Sequence, residues 1–471
     1  MPSTELTDAV SAYCAHRIFQ AGPEIYLRGN PYQRPVGFGD LDNVDFTVPL
    51  TEDQFLDHRQ LVAGRMLTNA YESGMVFLPP EGVGPVLPDF ELFYDDEVRR
   101  QRDVVRPRLE RFVFSFLETS TPKPAVRTLD ELEAYFLAEV NAVGSPADQT
   151  GNNPAVNTTA PVRGTMRAIT ECRHAEEAAA LHLIQLAPDA LIEASAMARN
   201  LPGSYGVAQS ELFKIFLDEF GYGVYEAKHS TIFKKMLASV GMHTDVHAYW
   251  HFYLSGSLVG NNYFNYLAED RRGVFRYMSA VTYLEWLFAQ GFADTGTMLR
   301  VVFGDRVDTK YCDEHAHIDI HHGRMAYENL LLGLARTHGE VVIPELVRGV
   351  EETKVLMRLG DEDFLAQIRW ADSLDEHTRL GAVLATSAVD EGTAVSRAPD
   401  DPFTTRVYDT DRLIAVADGE VDVYAWATER PHRLGPGDVL LVPRGRLHGL
   451  KAASGQVNYT VREVSRNGPA D

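Results

Sequence analysis

The sequence predicts a multidomain, mainly α protein that ends in a small all-β domain, and three observations carry that expectation. From about residue 166 to 380, apolar residues recur at three- and four-residue spacing in one long window after another, the period of an amphipathic helix. After Ala382 the pattern turns short, β-branched and punctuated by Gly and Pro, as strands are. A length of 471 residues exceeds what one ordinary core holds, so two or three domains are expected.

Taken in order, residues 1–125 open with Pro-broken segments such as Arg28-Gly-Asn-Pro-Tyr-Gln-Arg-Pro35, followed by helical stretches near 53–74 and 93–119. Phe112, Phe114, Phe116 and Leu117 give the second a buried face. No ligand-type residues cluster here, so the segment reads as a helical accessory or dimerisation element, and a homodimer is expected. Residues 141–165, with Gly144, Pro146, Gly151, Pro154 and Pro161, read as a loop. Its Asn157-Thr-Thr sequon is a chance match in a chain without a secretory signal.

Windows 167–187, 207–219, 226–240, 272–291, 313–335 and 344–359 then predict a helical bundle over 126–382, with turns or distortions at Pro202, Gly221 and Gly223. A Pro- and Asp-rich linker is expected at about 389–402. Strands follow in Leu413-Ile-Ala-Val-Ala-Asp-Gly-Glu-Val-Asp-Val-Tyr424, Val439–Val442 and Val457–Val461, placing a small barrel or sandwich at 383–471.

Composition narrows the function. With 45% hydrophobic and 24% charged residues, this is the make-up of a soluble globular protein. A formal net charge of -23 argues against nucleic acid or an anionic membrane as partner, since both would be repelled at long range. No run reaches the roughly 20 apolar residues a membrane helix needs, and no early apolar stretch follows a basic start. Cys14, Cys172 and Cys312 are few and odd in number, which fits reduced thiols and a cytoplasmic location.

The chemistry concentrates in Cys312-Asp-Glu-His-Ala-His-Ile-Asp-Ile-His-His-Gly323. His315, Asp319 and His322 fall at i, i+4 and i+7 and share one helix face, while His317 and His321 point to the other side. Two imidazoles and a carboxylate are donors that suit iron, manganese or zinc. Further candidates are Glu193, Glu219 and His229, but spacing alone supports them weakly, because a single helical Glu is usually solvated. Spacing also offers a rival set: Glu171/His174, Glu226/His229 and Glu314/His317 have the Glu-x-x-His form of ferritin-like di-iron bundles. That set would turn away the face carrying His315, Asp319 and His322.

Three segments carry a family resemblance: Gln185-Leu-Ala-Pro-Asp with Glu193, Asp218-Glu-Phe-Gly-Tyr-Gly-Val-Tyr-Glu-Ala-Lys-His-Ser-Thr, and His315-Ala-His-Ile-Asp-Ile-His-His-Gly-Arg-Met. They resemble the haem-oxygenase-like di-iron oxidases, and within these the multidomain N-nitrosourea-forming branch, over nearly the whole chain. The resemblance implies a helical N-terminal segment, a haem-oxygenase-like bundle without haem, and a C-terminal cupin barrel. It implies that Glu193, Glu219, His229, His315, Asp319 and His322 hold two iron ions, with Glu219 and Asp319 near both. Glu285, in Thr282-Tyr-Leu-Glu-Trp, matches a further acidic position that joins the site.

From the same resemblance follows an O2-dependent N-oxygenase that hydroxylates a guanidine or amine nitrogen of an arginine-derived or amino-heterocyclic metabolite, drawing electrons from an external donor. Related members carry amines as far as the nitro level. The alternative on this scaffold is C–C cleavage of an amino acid or fatty acid. Acidic pocket residues would pair with a cationic substrate. The aromatic stretches Tyr249–Tyr253 and Tyr263–Tyr266 are expected in the core, with a pocket wall as the alternative.

The barrel departs from its relatives. Gly437-Asp-Val-Leu-Leu-Val-Pro-Arg-Gly-Arg-Leu-His448 matches the second cupin motif. The first should supply His-x-His and a Glu, yet those positions hold Arg406, Tyr408 and Arg412. Arginine stays protonated and repels a divalent cation. No metal is therefore expected in the barrel, nor the second, N-nitroso-forming reaction that the barrel iron performs in that branch. A site rebuilt from Tyr408, His432 and His448 is the alternative.

Overall fold

The computed structural model describes residues 3–37, 45–148, 151, 153–157, 164–386 and 392–464. Its principal helices are α1 (Ser3–Cys14), α2 (His58–Glu72), α3 (Asp96–Val113), α4 (Leu129–Ala142), α5 (Ala175–Ala190), α6 (Val207–Glu219), α7 (His229–Ser239), α8 (Ser255–Glu269), α9 (Val274–Phe303), α10 (Lys310–Met325), α11 (Ile343–Ala371) and α12 (Leu374–Ala385). Every predicted helical window contains helix, although 167–187 is broken by a turn at 171–174 and 53–74 becomes α-helical only at His58. Two run longer than expected: α9 passes Gly291 and stops only at Gly304, whose φ of 60° supplies a left-handed end, and α11 continues to Ala371. After α10 the chain passes through a π-helical turn, Ala326–Leu331.

The N-terminal segment packs into the bundle. Phe112, Phe116, Val259, Trp286 and Leu346 belong to one continuous buried core. Helix α2 is buried on nearly every face, so its polar side chains must find partners. Glu72 bonds Arg34 and His247, the latter at 2.6 Å. Arg65 donates to the carbonyl and hydroxyl of Thr405 at 3.0 and 2.6 Å, tying this helix to the barrel.

The barrel is two antiparallel four-stranded sheets, formed by β1 (Thr393–Arg397), β2 (Thr405–Arg406), β3 (Arg412–Asp418), β4 (Val421–Tyr424), β5 (His432–Leu434), β6 (Val439–Val442), β7 (His448–Ala452) and β8 (Val457–Glu463). Their orders are β1-β8-β3-β6 and β2-β7-β4-β5. Strand β1 lies inside the stretch expected as a linker. As an edge strand facing solvent it needs no apolar alternation, so only its pairing with β8 defines it.

Gln367 of α11 staples the barrel to the bundle. Its amide donates to the carbonyls of Ala425 and Leu447 at 2.7 and 2.8 Å and accepts from Leu447 N at 2.8 Å, each bond contributing about 1 kcal/mol net. Of the stretch read as a loop, the described residues 143–148 and 153–157 are irregular apart from an isolated bridge between Ala147 and Pro154, and Gln290 of α9 holds the latter part by accepting from Asn157 N at 2.8 Å. Pro161 and the sequon threonines lie outside the described residues. Among the described residues no helix is long and apolar enough to cross a membrane.

Candidate metal centre

Helix α10 presents His315, Asp319 and His322 to the bundle interior, all buried, and turns His317 and His321 to solvent. The other candidates come from chain ends rather than helix faces. Glu193 sits in the turn after α5, beside Ala194 at φ 59°. Glu219 is the last residue of α6 and His229 the first of α7. Gly221 makes their meeting feasible: at φ 56° the chain doubles back so tightly that a Cβ would lie 2.5 Å from Ala227 C. As a result His229 Nδ1 comes within 2.6 Å of Glu219 Oε2.

A second close approach sets Glu285. A Cβ on Gly323 of α10 would stand 3.0 Å from Trp286 Cα and 3.2 Å from Glu285 O, so only glycine lets α10 lie this close to α9. Glu285 Oε2 then reaches 3.4 Å from His322 Nδ1.

These side chains form two groups whose donor atoms lie within 4.8 Å of one another: Glu193, Glu219, His229 and His315, and Glu219, Asp319 and His322. Glu219 is shared. Asp319, expected with it near both ions, belongs to the second group only. The rival ferritin-like set is not assembled: Glu171 pairs with Arg167 at 2.7 Å, His174 with Asp372 at 2.9 Å and Glu314 with Lys310 at 3.8 Å, and Glu226 and His317 are exposed.

The surroundings orient each imidazole. His315 Nδ1 is 2.9 Å from the Tyr311 carbonyl, which only a ring N–H can satisfy. Its Nε2 lone pair therefore faces Glu193 Oε1 at 3.3 Å and Glu219 Oε2 at 3.6 Å. His322 Nε2 donates to Asp218 Oδ2 at 3.0 Å, leaving Nδ1 toward Asp319 Oδ1 at 3.3 Å and Glu219 Oε1 at 3.6 Å. Tyr311 donates its hydroxyl to Glu193 Oε1 at 2.6 Å. Outer partners of this kind fix the tautomer of a ligating imidazole.

Inward, several atoms face only one another: both oxygens of Asp319, Oε2 of Glu193 and Nδ1 of His322 are buried without a hydrogen bond, while Glu219 Oε2 has only His229 Nδ1, at 2.6 Å. Burial would lower the pKa of His315 and His322, but the facing carboxylates outweigh it and hold both well above the ordinary imidazole value. Burial also raises Asp319. The cluster thus demands positive charge, which protons or metal cations supply. Orphaned oxygens, inward lone pairs and hard or borderline donors fit iron, and the four carboxylates Glu193, Glu219, Glu285 and Asp319 would balance two divalent ions.

A cavity of about 400 Å³ opens from the cluster. Glu193, Glu219, Glu285 and His315 line one end, and its walls are mostly apolar, with Phe288, Phe292 and Leu356 among them. Of the two aromatic stretches, Tyr263 and Phe264 reach this wall, whereas Trp250, Phe252 and Tyr253 pack in the core. Asp189 was not singled out from the sequence, where it is one more carboxylate near a helix end. It lines the cavity, a half-open space to which its side chain is exposed. Burial, then the negative Glu193 and Glu219, push its pKa up to about 7. Asp218 stands in the sequence only as the first residue of a resemblance motif, with no role of its own, and Tyr311 not at all, since orienting partners carry no spacing signal.

In the barrel His448 is fully buried on β7, directly opposite Arg406 of β2. Its Nδ1 donates to the Arg446 carbonyl at 3.0 Å and its ring lies 4.8 Å from that of Tyr408. Arg412 pairs with Glu463 at 3.1 Å. His432 does not join them. It bonds Thr378 of α12 at 3.1 Å and faces Asp375 at 3.6 Å, so the rebuilt trio of Tyr408, His432 and His448 is not formed.

Comparison with known proteins agrees with both halves. Residues 180–353 match a family described as iron-containing redox enzymes, and residues 393–470 match AraC-like ligand binding domains, beginning at β1 rather than after it. The nitrosourea synthase of Streptomyces achromogenes subsp. streptozoticus is 37% identical over 469 residues, covering 98% of this chain and 96% of that protein.

Proposed function

This chain belongs to the haem-oxygenase-like, iron-containing redox enzymes that end in an AraC-like cupin barrel, and is on that ground an oxidoreductase; from this premise we propose that it is an O2-dependent, di-iron N-oxygenase of a guanidine or amine nitrogen. The observation that carries the reading is the pair of ligand groups joined through Glu219. Glu193, Glu219, His229 and His315 would hold one iron, Glu219, Asp319 and His322 the other, with Glu285 beside the second.

Bound there, two ferrous ions and an external electron donor would supply the electrons that reduce O2, one oxygen atom going to substrate nitrogen and the other leaving as water. The protein supplies the rest. Tyr311 and Asp218 hold His315 and His322 with lone pairs inward, so little reorganisation accompanies metal binding. The Phe292 ring lies 4.6 Å from that of His315, with Phe288 against Phe292 at 5.3 Å, and apolar surface beside the ligands strengthens the charge interactions there.

The barrel's part differs from that implied by its relatives. Arg406 opposite His448, with Tyr408 and Arg412 at the other ligand positions, leaves one imidazole among cations and a phenol. The reaction therefore stops at nitrogen oxidation, and the barrel supports the bundle through Arg65, Gln367 and Asp363, whose carboxylate faces Arg446 at 3.4 Å.

The test reconstitutes the protein anaerobically with Fe(II), counts iron, then exposes it to ¹⁸O2 with a reductant and a panel of guanidines, amines and aminoimidazoles. Expected are two irons per chain, with none on the barrel, and an N-oxidised product carrying ¹⁸O. His315→Ala and Asp319→Ala should lose iron and turnover while keeping their helical circular dichroism. Full turnover in either variant, or O2 consumption driven by a long-chain carboxylate with C–C cleavage, would overturn the proposal.

A further inference from the structure

Beyond the metal-facing end, the cavity wall is one-sided in charge. Among the described residues no Lys or Arg lines it, whereas Asp189 and Asp361 do. Its donors are nearly all committed elsewhere. Tyr263 gives its hydroxyl to Glu352 and Tyr311 to Glu193, both at 2.6 Å; Thr353 donates to the Gly349 carbonyl at 2.8 Å and Ser257 to that of Gln185 at 2.6 Å. The Gln185 amide serves the carbonyls of Leu181 and Phe252. Only Asn261 Nδ2 and His182 Nε2 are buried without a partner, and neither carries a charge that could neutralise an anion.

Asp189 is the complement of that wall. Its carboxylate has no donor set against it among the described residues, and it lies close enough to Glu193, Glu219 and Glu285 to feel their charge. A carboxylate set in this mostly apolar cavity beside three others attracts a cation. A guanidinium or amidinium group meets it best, since its planar fork binds both carboxylate oxygens at once. A carboxylate on the substrate would meet no Lys or Arg on this wall and several acidic neighbours. A volume of about 400 Å³ suits a small ligand.

We propose that the cavity takes a small amidine-type cation bearing no carboxylate, with Asp189 as the residue that grips it beside the metal cluster. The proposal rests on reading the cluster as the N-oxygenating site, and it narrows the substrate class: a free amino acid such as arginine is excluded, and a guanidine, amidine or amino-heterocycle stripped of its carboxyl group is favoured.

The experiment is calorimetric titration of the full chain loaded with redox-inert Zn(II), using n-butylguanidine, 4-guanidinobutyrate and arginine. Butylguanidine is expected to bind roughly 30-fold or more tightly than the two carboxylate-bearing ligands, the scale of leaving one buried charge unpaired. Asp189→Asn, with zinc stoichiometry and circular dichroism unchanged, should weaken butylguanidine by about the same factor. If that variant does not fold, the ranking of the three ligands on the native chain decides alone. Equal or tighter binding of arginine or 4-guanidinobutyrate, or an unchanged Kd in a folded Asp189→Asn, overturns the proposal. Failure of the parent reading looks different: iron-loaded protein would yield no N-oxidised product while the ligand ranking stood.

Discussion

Asp218 Oδ2 lies 3.0 Å from Nε2 of His322, and the next residue in the chain, Glu219, is the carboxylate common to both ligand groups. One dipeptide at the end of α6 therefore provides a ligand and fixes the orientation of another. Without Asp218 the His322 ring loses the partner that holds Nδ1 inward. Asp218→Ala is expected to weaken iron binding about 10- to 100-fold, as removal of an outer partner does, with helix content unchanged. Competition against a chelator of known affinity measures it; native affinity in the variant would mean that packing alone orients the ring.

The α10 face was legible because His315, Asp319 and His322 sit inside one uninterrupted helix, where periodicity dictates direction. Glu193, Glu219 and His229 lie in a turn or at helix ends, where no period constrains a side chain. Their convergence depends on the reversal at Gly221, a tertiary fact, and the sequence pointed to them only through resemblance. Asp189 was illegible for a related reason, since a cavity that exists only after folding distinguishes it from a solvated carboxylate. Strand β1 escaped because an exposed edge strand shows no alternation.

Two buried histidines away from the cluster make stability fall in acid. Burial pushes His448 down to about 4 and His251 to about 3, against about 6.5 in an unfolded chain. The folded pKa values are depressed, so below about pH 6.5 the unfolded state binds protons that the folded state refuses, and stability drops as pH falls toward 4. Each group contributes on the order of 1–3 kcal/mol to that loss. Because the raised His315, His322 and Asp189 of the metal-free cluster act in the opposite sense, the test is comparative: between pH 7.5 and 5.0 the urea midpoint of the native chain should fall relative to that of His448→Gln. An identical pH dependence in the two would remove His448 from the account.

Gly323 and Gly291 give opposite expectations for the same substitution, because one helix pair touches at the first and nothing touches the second. At Gly323 a Cβ would meet Pro154 Cγ at 2.9 Å, Trp286 Cα at 3.0 Å and Glu285 O at 3.2 Å. Two of these three atoms are backbone, so α9 and α10 must part. Gly323→Ala should cost about 1–3 kcal/mol, as overpacking does, and should weaken iron binding, because the 3.4 Å separation of Glu285 from His322 opens with the helices. At Gly291 a Cβ meets nothing within 4 Å in the middle of the same long helix α9. Gly291→Ala should therefore stabilise by about 0.5–1 kcal/mol through lost unfolded-state entropy and leave iron binding as it is. Thermal melts and iron counts on the two variants decide the matter together: a Gly323→Ala protein that melts and binds iron like the native chain would show that helix contact there does not set the position of Glu285.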